Sequence, residues 1–507
     1  MKKLKVMFST HGLIEGDFAF NTDEKGFPTT EVISKKVITG QDTGGQVYYV
    51  KALATCPSNY DIDLVTRRID PRICPEFGGT YKDLGKNINY TIESQWHENK
   101  TSRSRVLRVP AGGNFAFLPK EEIVPLLPEL VDNLFEFYKK ENTLEKIEVV
   151  EGHYRDGMLA ADMLCNKIEH EIGKRPIMLV TSHSLGHKKY ERNLPQYQQG
   201  KISDEEWQWH NFRERIKHEK YAFDMADIIV ATSPDEQRRL VVEPYLQDIN
   251  KITVIPPGYN SAVFSPVTIQ EANKLRYKFE YQGLDGHLHQ INLLNKKVVS
   301  SLGRVVRDKG YSELSRSMAE IMKSDHDVIF MLSSEKSNPV TDECKEILKE
   351  VEDRVVFLPS LNQQEMATIY RVSDIFVMSS LNEAFGMVPI EAMGCKTAVI
   401  VGRSGFNDFA HCADIRDDNI DLSKQIGIYA PSQEEDRWRQ IKALKTLLDN
   451  PQLCAQMAEN GYKFARSKLT WEKISAQKEK LVKEALKEKT TNNIPSAPKI
   501  KNSGLCL

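Results

Sequence analysis

Short apolar runs rich in valine, isoleucine and leucine recur along this chain, and polar, helix-compatible stretches separate them. In the first half the runs fall at 4–9, 62–66, 105–109, 147–150, 177–181, 228–232 and 252–255. In the second half they fall at 298–302, 328–332, 355–358, 375–378, 398–401 and 426–429. Their length and β-branched content predict strands buried on both faces, as in a parallel sheet. The intervening stretches, among them 212–226, 311–323 and 363–372, predict helices. Strand and helix in regular alternation predict a doubly wound α/β fold.

The rhythm breaks once, from Pro256-Pro257-Gly258 to Lys297, where prolines and polar residues replace the alternation. A domain boundary there gives two tandem Rossmann-like domains, 1–262 and 263–470. The long amphipathic stretch 471–489 is expected to form a helix that crosses back onto the first domain. The remainder, 490–507, carries Pro495 and Pro498 with few large apolar residues and reads as a disordered tail. Two such sheets are expected to face a cleft at the carboxyl ends of their strands, where ligands bind in open α/β folds.

Composition narrows the function classes. At 507 residues, 40% hydrophobic and 28% charged, the chain has the makeup of a soluble globular protein. A net charge of −2 supplies no field for nucleic acid, and no apolar run reaches the length of a membrane span. The eight cysteines are scattered without a C-x-x-C pair, which predicts reduced thiols in a cytoplasmic compartment. No cluster of His, Cys, Asp and Glu has metal-ligand spacing, so no metal site is expected.

Several strand ends carry groups suited to chemistry. Glu383-Ala384-Phe385-Gly386 through Glu391 follows the run 375–378 and opens a helix-compatible segment. Two carboxylates bracketing an apolar stretch suit hydroxyl recognition, although acids near a helix start are also favoured in their own right. Arg304 and Lys309 leave the run 298–302 together, a fork and a point charge placed to neutralise phosphate. Gly44-Gly45 before an apolar helix would let backbone approach an anion, and a glycine pair equally marks a plain turn. His183, Ser184 and Lys189 follow the run 177–181. Ser182-x-Ser184-x-Gly186 has the outline of a hydrolase nucleophile elbow with Ser184 as nucleophile. Its first glycine is missing, however, and His187-Lys188-Lys189 stands where the packed helix should begin. Arg213 and Arg215, two apart on a predicted helix, cannot share one face. Asp61-x-Asp63 reads as structural.

Taken in order, Asp42-Thr43-Gly44-Gly45-Gln46, His183-Ser184-Leu185-Gly186-x-x-Lys189, Arg304 with Lys309, and Glu383-x7-Glu391 resemble the motifs of a retaining glycosyltransferase of GT-B fold, family 4. The branch most resembled is that of sucrose-phosphate synthase and sucrose synthase. Ser9-Thr-His-Gly-Leu13, Glu151-Gly152-His153-Tyr154 and Ile255-Pro-Pro-Gly258 extend the likeness over nearly the whole chain.

The resemblance implies an acceptor-side first domain and a nucleotide-sugar-binding second domain. It implies that Arg304 and Lys309 hold the donor diphosphate, with Gly44 and Gly45 approaching it. Glu391 would bind the ribose, and Glu383 would lie by the donor sugar with the backbone of Ala384, Phe385 and Gly386. His183 would stand beside the anomeric carbon. Gln46, His153, Tyr154, Ser184, Lys189, Arg213 and Arg215 would line the acceptor pocket. The donor would be a UDP-, GDP- or ADP-hexose, the acceptor a small sugar or sugar phosphate, and no cofactor or divalent metal would be needed. The leaving phosphate would help to deprotonate the acceptor on the same face of the sugar. The stretch 15–40 is longer than the family's usual segment before the glycine pair, and Asn260 replaces the acid usual after Pro-Pro-Gly. This leaves a glycan, lipid or protein acceptor as the alternative.

Overall fold

The β-branched runs fold as parallel strands in two separate sheets. The computed structural model describes residues 2–10, 20–22, 28–32, 45–69, 93–98, 103–113 and 118–491. Gly44, most of 15–40 and the tail from 492 lie outside the described residues. The chain divides into two compact units. The first takes the described residues of Met1–Ala231, Glu236–Ile255 and Ser475–Leu507, and the second takes Thr232–Asp235 and Pro256–Ile474.

In the first unit the strands are β1 (Leu4–Phe8), β4 (Asp61–Arg67), β5 (Glu93–Glu98), β6 (Arg103–Val109), β7 (Ile147–His153), β8 (Ile177–Thr181), β9 (Ile228–Ala231) and β10 (Ile252–Val254). They form one sheet in the order β10-β9-β8-β7-β1-β4-β6-β5. β2 (Phe20–Thr22) and β3 (Pro28–Val32) make a separate antiparallel ribbon. The helices are α1 (Gly45–Thr55), α2 (Leu127–Lys140), α3 (Tyr154–Ile172), α4 (Gly186–Gln198), α5 (Asp204–His210), α6 (Phe212–Met225) and α7 (Pro234–Val241).

α2 shows how pattern becomes packing. Leu127, Leu130, Val131, Leu134, Phe135 and Tyr138 recur at the spacing of one helical stripe, and all are buried in the core of this unit. Each such side chain contributes roughly 1.5–3 kcal/mol by leaving water, and Leu134→Ala is expected to cost about 2–5 kcal/mol. Asp63 is structural: its carboxylate takes Arg105 Nε at 2.7 Å and the Tyr138 hydroxyl at 2.9 Å, far from the carboxyl ends of the strands.

The second unit holds β11 (Phe279–Gln282), β12 (Leu288–Ile291), β13 (Lys297–Ser301), β14 (Val328–Ser333), β15 (Val355–Leu358), β16 (Ile375–Met378), β17 (Ala398–Val401), β18 (Ala413–Asp414) and β19 (Ile428–Tyr429). Its main sheet runs β15-β14-β13-β16-β17-β19-β18. The helices are α8 (Ile269–Tyr277), α9 (Tyr311–Ser324), α10 (Pro339–Leu348), α11 (Gln363–Val372), α12 (Val388–Gly394), α13 (Gly405–Ala410), α14 (Arg437–Leu448) and α15 (Pro451–Lys468). α16 (Trp471–Thr491) begins here and continues in the first unit from Ser475.

Two elements depart from a uniformly parallel reading. β5 pairs antiparallel with β6 at the sheet edge. Its charged, mixed sequence, Glu93-Ser-Gln-Trp-His-Glu98, lacks the apolar run that marks a central strand. The polar stretch after Pro256-Pro257-Gly258 contains the hairpin β11–β12. Its loop carries Asp285-Gly286, with Gly286 at φ +85°, a turn signal of the kind that joins antiparallel strands.

In both sheets the chain fills one side of its first strand and then crosses to the other. The switch lies between the paired β1 and β7 in the first unit and between the paired β13 and β16 in the second. Ligands in open α/β sheets bind outside the carboxyl ends of strands at such a point. The fold thus singles out the residues after β1 and β7, and those after β13 and β16.

Candidate active site

In the second unit the loop after β13 carries Arg304 and Lys309 and ends at Gly310, the N-cap of α9. Gly310 sits at φ +66°, and a Cβ there would lie 2.2 Å from the Ser379 carbonyl oxygen, so only glycine fits. The segment after β16 is tied to this loop. Ser379 Oγ donates to the Lys309 carbonyl at 2.7 Å, and the Leu381 N–H donates to the Asp308 carbonyl at 2.9 Å. This register brings Lys309 Nζ onto the Glu383 carboxylate as an ion pair. Burial raises the Glu383 carboxyl, but Lys309 and then Arg304 outweigh it and hold the group below its ordinary range.

The turn that carries Glu383 is fixed from a second side. Its N–H donates to the Arg403 carbonyl at 3.1 Å, and the Phe406 N–H donates to the Phe385 carbonyl at 3.0 Å. Phe385 is buried edge-on against Phe406, with ring centroids 5.8 Å apart. Gly386 takes φ +95°, where a Cβ would meet Met378 Sδ at 2.6 Å. Ala384, Phe385 and Gly386 are therefore held as backbone, one turn ahead of Glu391.

Glu391 is the fourth residue of α12 and is buried. Its Oε2 has no hydrogen-bond partner among the described residues. Burial pushes its carboxyl up to about 7, and the nearby Tyr370 hydroxyl only tempers that rise. A buried carboxylate oxygen with nothing to accept from is costly unless a ligand supplies a donor.

The first unit gathers its polar groups after β7 and β8. Tyr154 opens α3 at φ +63°, and His183 follows β8 at φ +58°, both left-handed and both unusual for residues with a Cβ. His153 Nδ1 lies 2.9 Å from His183 Nε2. Tyr49 of α1 packs edge-on against His183, with centroids 4.7 Å apart at 81°. Burial pushes His153 down to about 4 despite the carboxylate of Glu151 beside it.

Arg215 and Lys189 meet over Tyr154. The Arg215 guanidinium stacks 4.7 Å from the Tyr154 ring centre, bonds Glu219 at 2.8 Å and donates to the Ser184 carbonyl at 2.7 Å. Lys189 Nζ reaches the Tyr154 hydroxyl at 3.3 Å. Burial, then Arg215 and Lys120, holds the Lys189 ammonium well below its ordinary value. A concentration of positive charge of this kind calls for an anion.

The sequence-predicted residues thus fall into two groups, one in each unit. Arg304, Lys309, Glu383, Ala384, Phe385, Gly386 and Glu391 gather in the second. His153, Tyr154, His183, Ser184, Lys189 and Arg215 gather in the first. Gln46 lies on α1 with its Nε2 buried and unpartnered among the described residues. Gly45 opens α1, and Gly44 lies outside the described residues. Arg213 is exposed, two residues before Arg215 and off the buried face that Arg215 occupies.

The nucleophile-elbow outline does not survive. An elbow strains its serine, whereas the left-handed residue here is His183, and Ser182 Oγ bonds Glu236 rather than a histidine. Sequence reasoning missed Tyr49, Lys120, Tyr370 and Lys478. The last had a signal: it stands on the buried stripe Trp471, Ile474, Ser475, Lys478 and Val482 of α16, where an unpaired charge is not tolerated.

Among the described residues no group of three or more His, Cys, Asp or Glu could hold a metal ion, and no helix is long and apolar enough to cross a membrane. The six described cysteines are free and buried.

Comparison with known proteins adds to this geometry. The glycosyl transferases group 1 family matches residues 288–464. Mannosylfructose-phosphate synthase of Agrobacterium fabrum is 32% identical over 372 residues, covering 71% of each chain. A probable sucrose-phosphate synthase of Thermosipho melanesiensis is 28% identical over 447 residues, 86% of this chain and 90% of its own. Among solved structures, sucrose-phosphate synthase from Thermosynechococcus elongatus shares the fold with a TM-score of 0.63 at 22% identity, covering 96% of this chain and 99% of the other.

Proposed function

The chain belongs to the glycosyl transferases group 1 family, and on that footing we propose that it moves a hexosyl group from a nucleotide-sugar to a sugar phosphate, with retention at the anomeric carbon. The observation that carries this reading is the set at the switch point of the second sheet. Lys309 is paired with Glu383, Arg304 stands close enough to act on the same carboxylate, and Glu391 has an unanswered oxygen.

A diphosphate arriving at Arg304 and Lys309 finds two cations that need no reorganisation, and its negative charge grows as the sugar leaves. Glu391 accepts from the ribose hydroxyls, which supply the donor its buried Oε2 lacks. Glu383 accepts from hydroxyls of the donor sugar, oriented by the backbone of Ala384, Phe385 and Gly386. His183 stands at the reacting centre. The departing phosphate takes the acceptor proton, so the reaction needs neither a second carboxylate base nor a divalent metal.

Lys189 supports a phosphorylated acceptor, because burial and the neighbouring Arg215 and Lys120 hold its ammonium well below its ordinary value, a state that an arriving anion would relieve. The two relatives named above as synthases are each named for a phosphate product. Gln46, Tyr154 and Ser184 complete that pocket, and Arg213 contributes at most from its rim.

The decisive assay offers UDP-, GDP- and ADP-hexoses with and without fructose 6-phosphate, with and without a chelator, and follows nucleotide release. Acceptor-dependent release with one donor, unaffected by the chelator, is the expected result. Lys309→Ala and Glu383→Gln should each lower kcat by about a hundredfold or more, as loss of a transition-state charge contact does, and Ser184→Ala should keep substantial activity. Release by none of the donors would sink the reading.

A further inference from the structure

Glu151 lies at the carboxyl end of β7, fully buried, in the midst of groups that the reaction outlined above leaves idle. Its carboxylate is clamped by two ammonium groups, Lys5 from β1 and Lys478 from α16. Burial alone would raise its carboxyl, but Lys478 and then Lys5 outweigh that and keep it ionised well below its ordinary value. Lys478 is 1% exposed and also reaches the Tyr49 hydroxyl at 3.3 Å and Thr181 Oγ1 at 3.5 Å. On the other side, Glu151 Oε1 is 3.2 Å from His153 Nε2, and His153 Nδ1 is 2.9 Å from His183 Nε2. The line runs Lys478, Glu151, His153, His183, entirely within the first unit.

We propose that Glu151, held ionised by Lys5 and Lys478, is a positioning residue that acts through His153 to fix the proton of His183 on Nε2. The inference rests on the reading that His183 stands at the reacting centre, while the proton assignment itself follows from chemistry alone. A neutral imidazole carries one N–H, and an ionised carboxylate can only accept. His153 therefore carries its proton on Nε2, the nitrogen 3.2 Å from the Glu151 carboxylate, and leaves a lone pair on Nδ1. That lone pair faces His183 Nε2 at hydrogen-bond distance, so this nitrogen of His183 must be a donor. The opposite arrangement would set the Nε2 lone pair of His153 against a carboxylate.

The ring of His183 is then held at three points: its left-handed backbone, its Nε2–H bond to His153, and the edge contact with Tyr49. Lys478 supports two of them, since it bonds both the carboxylate and the Tyr49 hydroxyl. The C-terminal helix thereby takes part in orienting a group 295 positions earlier, although no residue of it is placed in the reaction.

Nitrogen NMR of the full-length protein labelled at histidine reads the tautomer directly and does not depend on turnover. The wild type should show His183 protonated at Nε2; an unprotonated Nε2 would overturn the proposal. In Glu151→Gln the two lysines hold the amide oxygen and turn its NH2 toward His153. The line then inverts, and the His183 proton moves to Nδ1. With it, kcat should fall roughly ten- to a hundredfold, the usual cost of losing an orienting partner, while the KM for the donor stays unchanged. A folded Glu151→Gln protein with His183 still protonated at Nε2 overturns the proposal. Should that variant not fold, His153→Phe removes the acceptor of His183 Nε2 while keeping a ring, and a His183 Nε2–H with the wild-type nitrogen shift and proton exchange rate there overturns the proposal. If no nucleotide-sugar is turned over while the tautomer behaves as stated, the functional reading fails and the proton assignment stands.

Discussion

Glu151 and Glu391 are the same residue type, both buried, one at the end of β7 and one on α12, and their carboxyls are shifted in opposite directions. Glu151 has two lysines against it and is pinned as an anion. Among the described residues no cation acts on Glu391, and burial pushes its carboxyl up to about 7. The contrast separates two uses of a buried acid. One whose charge is answered from within serves the protein's own geometry, and one whose oxygen is left unanswered awaits a ligand.

The largest effect expected from this contrast lies in the first unit. Glu151→Ala would strand two buried ammonium groups and should cost about 3–5 kcal/mol in denaturant unfolding, as breaking a buried pair does. Glu391→Gln should go the other way. A carboxyl raised from 4.5 to about 7 on folding contributes stability below its unfolded pKa and loses it as pH climbs through the folded value. At pH 8 the ligand-free Glu391→Gln protein should thus be more stable than wild type by up to about 3 kcal/mol. The gain should vanish as pH falls below 4.5, where the native residue is protonated in both states. Two losses of equal size would erase the distinction between the acids.

A smaller effect appears in binding. Ribose hydroxyls are served best by an ionised Glu391, so donor KM should rise several-fold as pH falls from 8 to below about 7. The same titration on Glu391→Gln should be flat. The smallest contrast is between neighbours on α6. Arg213→Ala should stay within about 0.5 kcal/mol of wild type in stability, whereas Arg215→Ala unpairs buried Glu219 and should raise acceptor KM as well. Equal behaviour of the two arginines would contradict the burial difference between them.

Much of this was legible in the residues because it is written in local pattern. The apolar runs that became β13, β14, β16 and β17 are short, β-branched and nearly free of charge, which leaves few alternatives to a buried parallel strand. Arg304, Lys309, Glu383 and Glu391 were readable because each follows such a run. The edge strand β5 and the hairpin β11–β12 escaped because a strand paired outside the buried middle of a sheet needs no apolar run to exist. The left-handed backbone of Tyr154 and His183 left no readable trace, since tyrosine does not favour it and histidine, though enriched there, mostly adopts other conformations. Nor could local pattern join Lys478 to Glu151: a lysine on a buried stripe says that a partner exists, not which of the chain's many acids it is.

That last pairing reaches into the making of the protein. The 327 residues that separate Glu151 from Lys478 take a ribosome between about 15 and 65 s to add. Throughout that interval β7 is already synthesised, with Lys5 as the single ammonium available to the acid at its end. The pairing at Glu151 therefore stays incomplete until α16 has been made. Its early strands wait on a helix made long after them, and the emerging polypeptide cannot acquire a finished His183 before α16 has been added.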